Sequence, residues 1–467
     1  MQHIRRKEGT VPEYHDELMD SGVKMKVGGF QRLLRYAGCI IKILATIDGE
    51  IDPERVRQAL PKLKKRHPLL GSRMIIDQEG QAWLVTEQVP DFELQVYEKW
   101  GDLDWLERVS EQDRMPFRMN VGPLTRFMLL TSESSSDLVL YMYHVMSDGL
   151  SGVYVMEDLL SLNGEPQKEL PPLPPPVDIV KNIPPNVKRH VPWITRFAIG
   201  RMNARWRKNK IVFSDDDFVK VQEKRYEERD RTILLSLTAE ETSALAEKCH
   251  TRGVTVNSVL LTALLAAKYA VPSIVRVIPD TLNAAVNLRD KLIEGPGRGC
   301  GFYVGTIQIR ARFNPKKDFE CNLLAIHSET TKKIHGDAEI IKDLISTEMI
   351  DPGLLDALDF ESYGMLENPA TKKFRGVMSK LSRGVTVTNL GRQDFPEEFG
   401  DLKVRKVVFL APTPGPFKMM KASVLTACGC LQAAFLYRES SFSTQVMKEY
   451  VNVVERSLRD FMAFDSR

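Results

Sequence analysis

Residues 137–149 read DLVLYMYHVMSDG, a run of strand-forming side chains that ends in a histidine and a turn. Apolar and aromatic residues of this kind favour a buried strand, and the Ser-Asp-Gly triplet favours a tight turn after it. From Leu150 to Leu160, apolar residues then recur at the spacing of a helix. The sequence therefore predicts a strand that ends at His144, followed by a turn and a helix.

His144 is a candidate general base. The unperturbed pKa of a histidine is about 6.5, so a neutral imidazole can accept a proton from an alcohol, an amine or a thiol near neutral pH. Asp148 has two interpretations: it orients the imidazole as in a catalytic triad, or it caps the following helix. Gly149 permits a tight turn and would let substrate or backbone approach closely beside the histidine. A packed or surface histidine would fit the bare pattern as well.

The chain on either side of this strand mixes helices and strands without strict alternation. Residues 53–66 carry Val56, Leu60 and Leu63 on one helical face. The other predicted elements are strands at 80–86 and 124–130, helices at 238–250, 255–270 and 443–464, and strands at 273–287, at 302–311 and around 384–390. This mixture predicts an α+β fold of two lobes rather than one doubly wound sheet.

A proline-rich stretch at 164–192, which includes ELPPLPPPVDIVKNIPP, divides the chain. Prolines lack an amide donor and favour extended geometry, so this stretch cannot be a helix or a central strand. We interpret it as a crossover linker between an N-terminal lobe at 1–163, which carries HxxxDG, and a C-terminal lobe at 193–467. The alternative is a ligand for a proline-binding module.

The bulk composition disfavours several classes of protein. The chain has 65 basic and 62 acidic residues, a net charge of +3, and so lacks the basic excess of a dedicated nucleic-acid-binding protein. Its 6 cysteines are scattered and favour a reducing, cytoplasmic location. Two residues apart on a strand, Cys428 and Cys430 would point the same way, which is compatible with a metal or redox role. Packing is the simpler interpretation, and we expect no metal site. The N-terminus is charged, so we expect no secretory signal there. The sequence has no apolar run of sufficient length, so we expect no transmembrane helix.

Six further segments accompany the HxxxDG pattern at 144–149. They are KKRHPLLGSRM at 64–74, PFRMNVGPLTRFMLL at 116–130, GVTVNSVLLTALLAA at 253–267, AAVNLRD at 284–290, GFYVGTIQIR at 301–310 and VTVTNLGR at 385–392. In this order they resemble the signature of the chloramphenicol-acetyltransferase-like superfamily. That group includes condensation domains of non-ribosomal peptide synthetases, alcohol acetyltransferases, plant BAHD acyltransferases and polyketide-associated acyltransferases. The resemblance covers roughly residues 20–462.

The resemblance implies both an architecture and a chemistry. Each lobe would be a mixed β-sheet with flanking helices, and an active-site tunnel would lie between the lobes. His144 would deprotonate an alcohol or amine acceptor, which would attack the thioester of an acyl-CoA without forming an acyl-enzyme. Asp148, beside Gly149, would point away from the substrate and form an ion pair with Arg289. Acyl-CoA would be a cosubstrate, with no tightly bound cofactor, and a monomer could form the whole site.

The tetrahedral intermediate of such a reaction carries an oxyanion that needs a hydrogen-bond donor. Thr386 and Thr388 share one face of a predicted strand, and Asn389 follows. We predict that Thr388 or Asn389 is this donor. Packing of strand threonines and a turn asparagine before Gly391 is the competing interpretation.

The chain also departs from branches of the superfamily. Tyr143 stands where condensation domains usually have a first histidine, which favours a free-standing transferase over a carrier-dependent one. The BAHD segment D-F-G-W-G is missing, and Pro123-Leu124-Thr125 replaces the P-L-W of wax-ester synthases. Two alternatives therefore stay open. One is a stand-alone condensation-type enzyme whose donor is held by the phosphopantetheine of a carrier protein, and the other is a catalytically silent binding protein.

Residues 188–210, KRHVPWITRFAIGRMNARWRKNK, contain no acidic residue. Three interpretations compete. The segment is a helix with a solvated basic face, or it lies on an anionic membrane surface and collects a lipid acceptor. Otherwise it contributes to binding of CoA phosphates or of an acidic carrier protein.

His67, in the RHPLL segment, is interpreted as structural.

Overall fold

The computed structural model describes residues 22–36, 38–187, 189–310, 313–381, 384–412, 415 and 420–463. In chain order, the strands are β1 Lys24–Lys26, β2 Ile40–Asp48, β3 Arg73–Ile76, β4 Ala82–Val85, β5 Leu94–Glu98, β6 Thr125–Thr131, β7 Ser135–Tyr143, β8 Asp230–Ser236, β9 Leu282–Asn287, β10 Val304–Ile309, β11 Val385–Arg392, β12 Glu398–Phe399, β13 Leu402–Leu410, β14 Met420–Ala427 and β15 Cys430–Arg438.

The helices lie between and around these strands. In chain order, they are α1 Gly29–Arg32, α2 Pro53–Arg66, α3 Asp104–Gln112, α4 Gly149–Gly164, α5 Trp193–Lys208, α6 Asp215–Tyr226, α7 Ala239–Thr251, α8 Val256–Ala270, α9 Pro272–Val275, α10 Phe319–Ile334, α11 Asp337–Glu348, α12 Pro352–Ser362, α13 Pro369–Leu381 and α14 Thr444–Ala463.

Two six-stranded sheets form the centres of two lobes, with the orders β12-β13-β2-β7-β6-β5 and β10-β9-β11-β14-β15-β8. Both sheets are mixed: β5 pairs parallel with β6 in the first, and β11 pairs parallel with β9 and β14 in the second. A 3-stranded sheet, β1-β4-β3, lies beside the first lobe. The prediction of two α+β lobes with mixed sheets and flanking helices is confirmed.

Strand β7 lies between β2 and β6, and each of its nine residues is buried. A central strand that is covered on both faces needs apolar side chains in both directions, and the sequence Leu138–Tyr143 supplies them. Its backbone pairs with β2 from Ile40 opposite Tyr143 to Asp48 opposite Ser135. The rigid end of this strand therefore delivers His144 to a fixed position.

Local sequence explains most of the predicted helices. Helix α2 coincides with the predicted 53–66, and the Asp52 side chain caps it by accepting from the Glu54 amide at 2.8 Å. The predicted helices at 238–250 and 255–270 are α7 and α8, capped by Thr238 and Thr255. The predicted strand at 273–287 is wrong in its first part, because Pro272 begins the short helix α9 and β9 starts only at Leu282.

The predicted C-terminal lobe at 193–467 needs a correction. Strand β13 pairs antiparallel with β2, from Val404 opposite Ile47 to Leu410 opposite Lys42, so it extends the sheet of the first lobe. Its apolar end is buried in the same core as β2 and β7. The chain thus returns to the first lobe because β2 offers an unpaired edge there, and sequence order alone cannot reveal that partner.

The described part of the proline-rich stretch contains no helix or strand after Gly164. It runs from one lobe to the other. Arg66 of the first lobe donates to the Pro171 carbonyl at 2.6 Å, and the Val177 amide donates to the hydroxyl of Tyr303 in the second lobe at 3.1 Å. These contacts fit a crossover path.

No single helix among the described residues is long and apolar enough to cross a membrane. Helices α7 and α8 together satisfy such a test of length and composition, but they are bent by 101° at their junction. Most of α8 is buried in the core of the second lobe.

Candidate active site

The imidazole of His144 borders a cavity between the two lobes. The backbone amide of His144 still follows the strand pattern and donates to the Cys39 carbonyl at 2.8 Å. Nδ1 lies 2.7 Å from the Ser147 carbonyl, which can only accept, so Nδ1 carries the ring proton. The neutral ring therefore keeps the lone pair on Nε2.

Burial lowers the pKa of His144 to about 4. The hydrogen bond to the Ser147 carbonyl raises this pKa, and the positive charge of Lys421 lowers it. The edge of the ring faces Phe302, with 5.4 Å between the ring centroids. Protein atoms thus surround most of the imidazole, which keeps it neutral and able to accept a proton at neutral pH.

Asp148 directs both carboxylate oxygens away from His144. Oδ1 accepts from the Ser151 amide at 2.8 Å and thereby caps α4. Oδ2 accepts from Arg289 Nη1 at 2.7 Å and from the Tyr303 amide at 3.0 Å. Asp148 is fully buried and Arg289 nearly so. Of the two interpretations of Asp148, the structure shows the helix cap, combined with the ion pair that the resemblance implied.

Ser151 extends this contact between the lobes. Its hydroxyl accepts from Arg289 Nη2 and donates to the Gly301 carbonyl, both at 2.8 Å. The ion pair and this hydroxyl join the first turn of α4 to the segment that connects β9 with β10. The four residues Asp148, Ser151, Arg289 and Gly301 form what we call the lobe clamp. Sequence reasoning missed Ser151, because nothing in the local pattern marks a serine in the first turn of a helix as an inter-lobe contact.

Gly149 allows side chains from both lobes to approach the start of α4. A Cβ atom at this position would lie 2.8 Å from Leu390 Cδ2 and 3.1 Å from Phe409 Cζ. Leu390 lies on β11 and Phe409 on β13. We expected substrate or backbone to approach here, and the structure shows that side chains of the cavity wall do so.

The cavity has a volume of about 1230 Å³ and is lined by residues of both lobes. Besides His144, the predicted site residues on its wall are Asp148, Gly149, Arg289, Thr386, Thr388 and Asn389. A volume of this order is enough for a cosubstrate-sized ligand. The structure therefore brings every predicted site residue to one cavity.

Thr388 and Asn389 differ in how their side chains are engaged. Asn389 Oδ1 accepts from the Gly391 amide at 2.8 Å, and Nδ2 donates to Asn257 at 3.3 Å. Among the residues that the structure describes, the Thr388 hydroxyl on β11 has no hydrogen-bond partner, and it borders the cavity. Thr388 is therefore the better placed of the two to donate to a ligand.

Lys421 is a charged residue of the cavity wall that sequence reasoning missed. It is buried on β14 opposite Thr386, and its ammonium donates to the Tyr36 hydroxyl at 3.0 Å. Its charge reaches His144, since it contributes to lowering the pKa of that imidazole. Lys421 lies 277 positions after His144 by residue number, so no local spacing could have linked the two.

A second group of charges lies further along the cavity. Arg32 binds the Asp356 carboxylate through two nitrogens, at 2.8 and 2.6 Å. Arg35 stacks its guanidinium over the Phe218 ring at 3.3 Å and lies 3.5 Å from Asp356. Both arginines are buried. Arg35 also lies 3.9 Å from the Asp215 carboxylate, so the two arginines face two carboxylates. Sequence reasoning missed this cluster as well.

Within the described ranges, no group of three or more histidine, cysteine, aspartate or glutamate side chains is placed to hold a metal ion. Cys428 lies in a turn with a φ of 49°, and Cys430 begins β15. The expectation that both lie on one strand and point the same way is therefore wrong. His67 is buried and bonds Asp158 on α4 through Nε2 at 2.8 Å, so it connects two elements of the first lobe.

Comparison with known proteins agrees with this architecture. The family model for the condensation domain matches residues 35–343. A segment of 296 residues is 25% identical to chondramide synthase from Chondromyces crocatus and covers 58% of this chain. The match spans only 7% of that synthase.

Two solved structures share the fold. The TRI3 trichothecene 15-O-acetyltransferase from Fusarium sporotrichioides superposes with a TM-score of 0.64 at 12% identity, over 94% of this chain and 96% of that chain. The first condensation domain of the calcium-dependent antibiotic synthetase superposes with a TM-score of 0.61 at 15% identity, over 94% and 97% of the two chains. At such identities the likeness shows the fold. The family match over residues 35–343 is what confirms the superfamily that the sequence motifs indicated.

Proposed function

The chain belongs to the condensation-domain family of acyl-transferring enzymes, and on that premise we propose that it transfers an acyl group from a thioester to an alcohol or amine, with His144 as general base. One observation carries the proposal. The imidazole is neutral, its Nδ1 proton is held by the Ser147 carbonyl, and the ring borders a cavity that both lobes line. Nε2 is thus the ring nitrogen that can take a proton from an acceptor.

The proposed reaction needs no covalent enzyme intermediate. Nε2 of His144 takes the proton of the acceptor hydroxyl or amine while the acceptor atom bonds to the thioester carbonyl carbon. The resulting tetrahedral intermediate then breaks its carbon–sulfur bond, and the imidazolium returns the proton to the leaving thiolate. Acyl ester or amide and free thiol are the products, so atoms and protons balance.

We assign the stabilisation of the oxyanion to Thr388 rather than to Asn389. A hydrogen-bond donor is useful in catalysis when it is free to bind the charge that develops in the transition state. The Thr388 hydroxyl borders the cavity, whereas both polar groups of Asn389 already bind Gly391 and Asn257.

In this proposal, the lobe clamp is a positioning device. Asp148 does not touch the reacting atoms, but it fixes the turn between His144 and α4 to Arg289 of the other lobe. The base and the oxyanion donor come from different lobes, so their distance depends on how the lobes are joined. Asp148, Gly149 and Arg289 therefore support the site rather than react.

We propose acyl-CoA as the donor. Tyr143, which replaces the first histidine of condensation domains, is buried and donates to the Arg35 and Tyr36 carbonyls at 3.1 Å. It therefore serves packing in this chain. The family match supports the alternative, a donor carried on the phosphopantetheine of a carrier protein. The O-acetyltransferase among the structural neighbours favours an alcohol as acceptor over an amine.

The proposal also covers the location, the oligomeric state and the binding partners of the chain. We propose a cytoplasmic monomer that acts on a small-molecule or lipid acceptor without a tightly bound cofactor and without nucleic acid. Peripheral contact with a membrane through residues 188–210 belongs to the same proposal. The other class of function, a silent binding protein on this fold, predicts ligand binding without turnover.

Thiol release tests the proposed reaction. Purified full-length chain is offered a panel of acyl-CoAs with alcohol and amine acceptors, and the same acyl groups on a carrier protein. His144→Ala is expected to lower the rate by about 10²–10⁴-fold. His250→Ala, at an exposed position on α7, is the matched control and should leave the rate unchanged.

Each outcome separates the alternatives. Turnover with free acyl-CoA supports the proposed donor, and turnover with the carrier-bound donor alone supports the condensation-type alternative. Binding of acyl-CoA without turnover of any acceptor would support the silent binding protein. If His144→Ala matched the wild type in an active enzyme, the general base would be elsewhere.

A further inference from the structure

Helix α5 is a basic helix that is held firmly on its inner side. Residues 188–210 contain no acidic residue. On the inner face, Ile199, Asn203 and Trp206 are buried. Trp206 is fully buried in a separate core cluster that α5 forms with α6, α12 and α13. The helix is thus an integral part of the second lobe, and its outer face has a fixed orientation.

The outer face of α5 exposes large apolar side chains. Trp193 is 73% exposed, Ile194 62% and Phe197 60%. Helical spacing places Trp193 and Phe197 on one stripe, which the small residues Gly200 and Ala204 continue. Water contact with three such side chains is costly, so this face favours an apolar environment.

Basic side chains flank the apolar stripe on both sides. At 100° per residue, Arg196 and Arg207 lie on one side and Arg201 and Arg205 on the other. Arg207 lies 3.4 Å from Asp351, but no carboxylate pairs with Arg196, Arg201 or Arg205 in the described part of the chain. These charges are therefore available to an anionic partner.

The same surface borders the opening of the active-site cavity. From α5, Phe197, Arg201 and Arg205 line the cavity, and from α13, Lys373 and Val377 do so. Phe197 is 60% exposed and Val377 is 47% exposed, so the cavity reaches the molecular surface between these helices. These two helices also contribute the apolar side chains of Ile199, Met202, Phe374 and Met378 to the cavity wall.

We infer that α5 and α13 form a docking surface for a bilayer that contains anionic lipids, and that an apolar acceptor enters the cavity from that bilayer. The role of the entering molecule rests on the proposed function. An apolar stripe between two rows of basic residues matches the boundary between lipid tails and anionic headgroups. An acidic carrier protein would engage the arginines but would leave no reason for the exposed apolar side chains of Trp193, Ile194 and Phe197 beside them.

Flotation with lipid vesicles tests the surface in the full-length chain. Vesicles of phosphatidylcholine alone are compared with vesicles that also contain phosphatidylglycerol. Binding is expected only to the anionic vesicles and should weaken as salt is raised, because salt screens the contribution of the arginines. Arg196→Gln should lower the partition coefficient by about fivefold, the effect of one basic residue near such a surface.

The apolar part is tested by a pair of substitutions with a matched control. Trp193→Ser with Ile194→Ser removes two exposed side chains that do not line the cavity, and should lower vesicle binding by at least about tenfold. Trp100→Ser with Leu103→Ser removes a pair on the first lobe that is 79% and 55% exposed. This control should bind as the wild type does.

A soluble short-chain acceptor separates this inference from the proposed reaction. The Trp193/Ile194 pair should retain the wild-type rate with that acceptor and lose rate only with an acceptor embedded in anionic vesicles. Equal binding to neutral and anionic vesicles, or an equal loss in the Trp100/Leu103 control, would overturn the docking surface. So would a loss of rate confined to a carrier-bound donor. If no acceptor turns over while anionic vesicles still bind, the proposed reaction fails and the surface stands.

Discussion

The first lobe places two histidines, His67 and His144, in similar chemical states but different surroundings. Burial lowers the pKa of both imidazoles. Each ring has one nitrogen within hydrogen-bonding distance of an oxygen, Nε2 of His67 at 2.8 Å and Nδ1 of His144 at 2.7 Å. His67 is 1% exposed and bonds the Asp158 carboxylate. His144 bonds a backbone carbonyl and borders the cavity.

The comparison shows that neither burial nor a lowered pKa identifies the base. Both residues follow motifs of the same superfamily, RHPLL for His67 and HxxxDG for His144. What differs is access: the His67 ring is enclosed between α2 and α4, whereas His144 stands at a strand end where the lobes part. A substrate can therefore reach one imidazole and not the other.

Replacing each histidine with alanine tests this difference between His67 and His144 and has the largest expected effect. His144→Ala should lower kcat/KM by about 10²–10⁴-fold with little change in the free energy of unfolding. His67→Ala should lower the free energy of unfolding by about 1–3 kcal/mol, because it removes a partner of buried Asp158, while kcat/KM of the folded enzyme stays near wild type. Urea unfolding and initial rates on both variants decide it. A large loss of rate in folded His67→Ala would contradict the assignment.

Two aspartates, Asp148 at the N-cap of α4 and Asp158 within that helix, form different ion pairs. Asp148 caps the helix and pairs with Arg289 across the lobes, whereas Asp158 pairs with Arg66 and His67 inside one lobe. Asp148→Ala leaves the buried guanidinium of Arg289 without its carboxylate and should cost about 3–5 kcal/mol of stability.

Asp158→Ala is the matched control for the lobe clamp. Both substitutions are expected to lower the unfolding midpoint in urea. Only Asp148→Ala should also lower kcat/KM at a temperature where the protein remains folded, because only Asp148 fixes the turn that carries the base. Equal rates in the two folded variants would show that the ion pair to Arg289 does not position the site.

Thr388→Val tests the different roles of Thr388 and Asn389, the neighbouring polar residues in the middle of β11. Valine keeps the shape of threonine and removes only the hydroxyl. We expect kcat to fall by about 10²-fold with little change in KM, the effect of losing one oxyanion donor. Asn389→Ala should instead lower stability, since it removes the partner of the Gly391 amide. If kcat falls in Asn389→Ala and holds in Thr388→Val, the two roles are exchanged.

Much of this arrangement could be predicted because local patterns carry it. The strand before His144, the helix after Asp148 and the caps at Thr238 and Thr255 follow from short segments of sequence. Spacing alone left the role of Asp148 open, and the pairing with Arg289 came from the resemblance. The two cavity-facing threonines followed from strand alternation.

The rest depends on contacts between distant segments. Ser151 meets Arg289 and Gly301 only after the lobes have assembled, and Lys421 reaches the cavity through the register of β14 on β11. Strand β13 pairs with β2 of the first sheet. The alternation of residues along β13 does not specify which strand it pairs with. The helices between 319 and 381, in contrast, do have local signals in the sequence, such as the Asp351 cap before Pro352.

The pH dependence is the smallest expected effect and returns to the two histidines. With a pKa of about 4, His144 stays neutral above pH 5, so kcat/KM should vary little between pH 6 and pH 8 and fall only as the pH approaches 4. A base with the ordinary pKa of about 6.5 would lose most of its activity by about pH 5.5. Both imidazoles have a lower pKa in the folded chain than in the unfolded chain. The unfolded chain therefore takes up protons first, so the free energy of unfolding falls as the pH drops below about 6.5. His67→Gln should weaken the pH dependence of unfolding and leave the pH profile of kcat/KM unchanged, since in the proposed reaction only His144 meets the substrate. A rate profile with a midpoint near pH 6.5 would show that water reaches the His144 ring more freely than the burial of the ring implies.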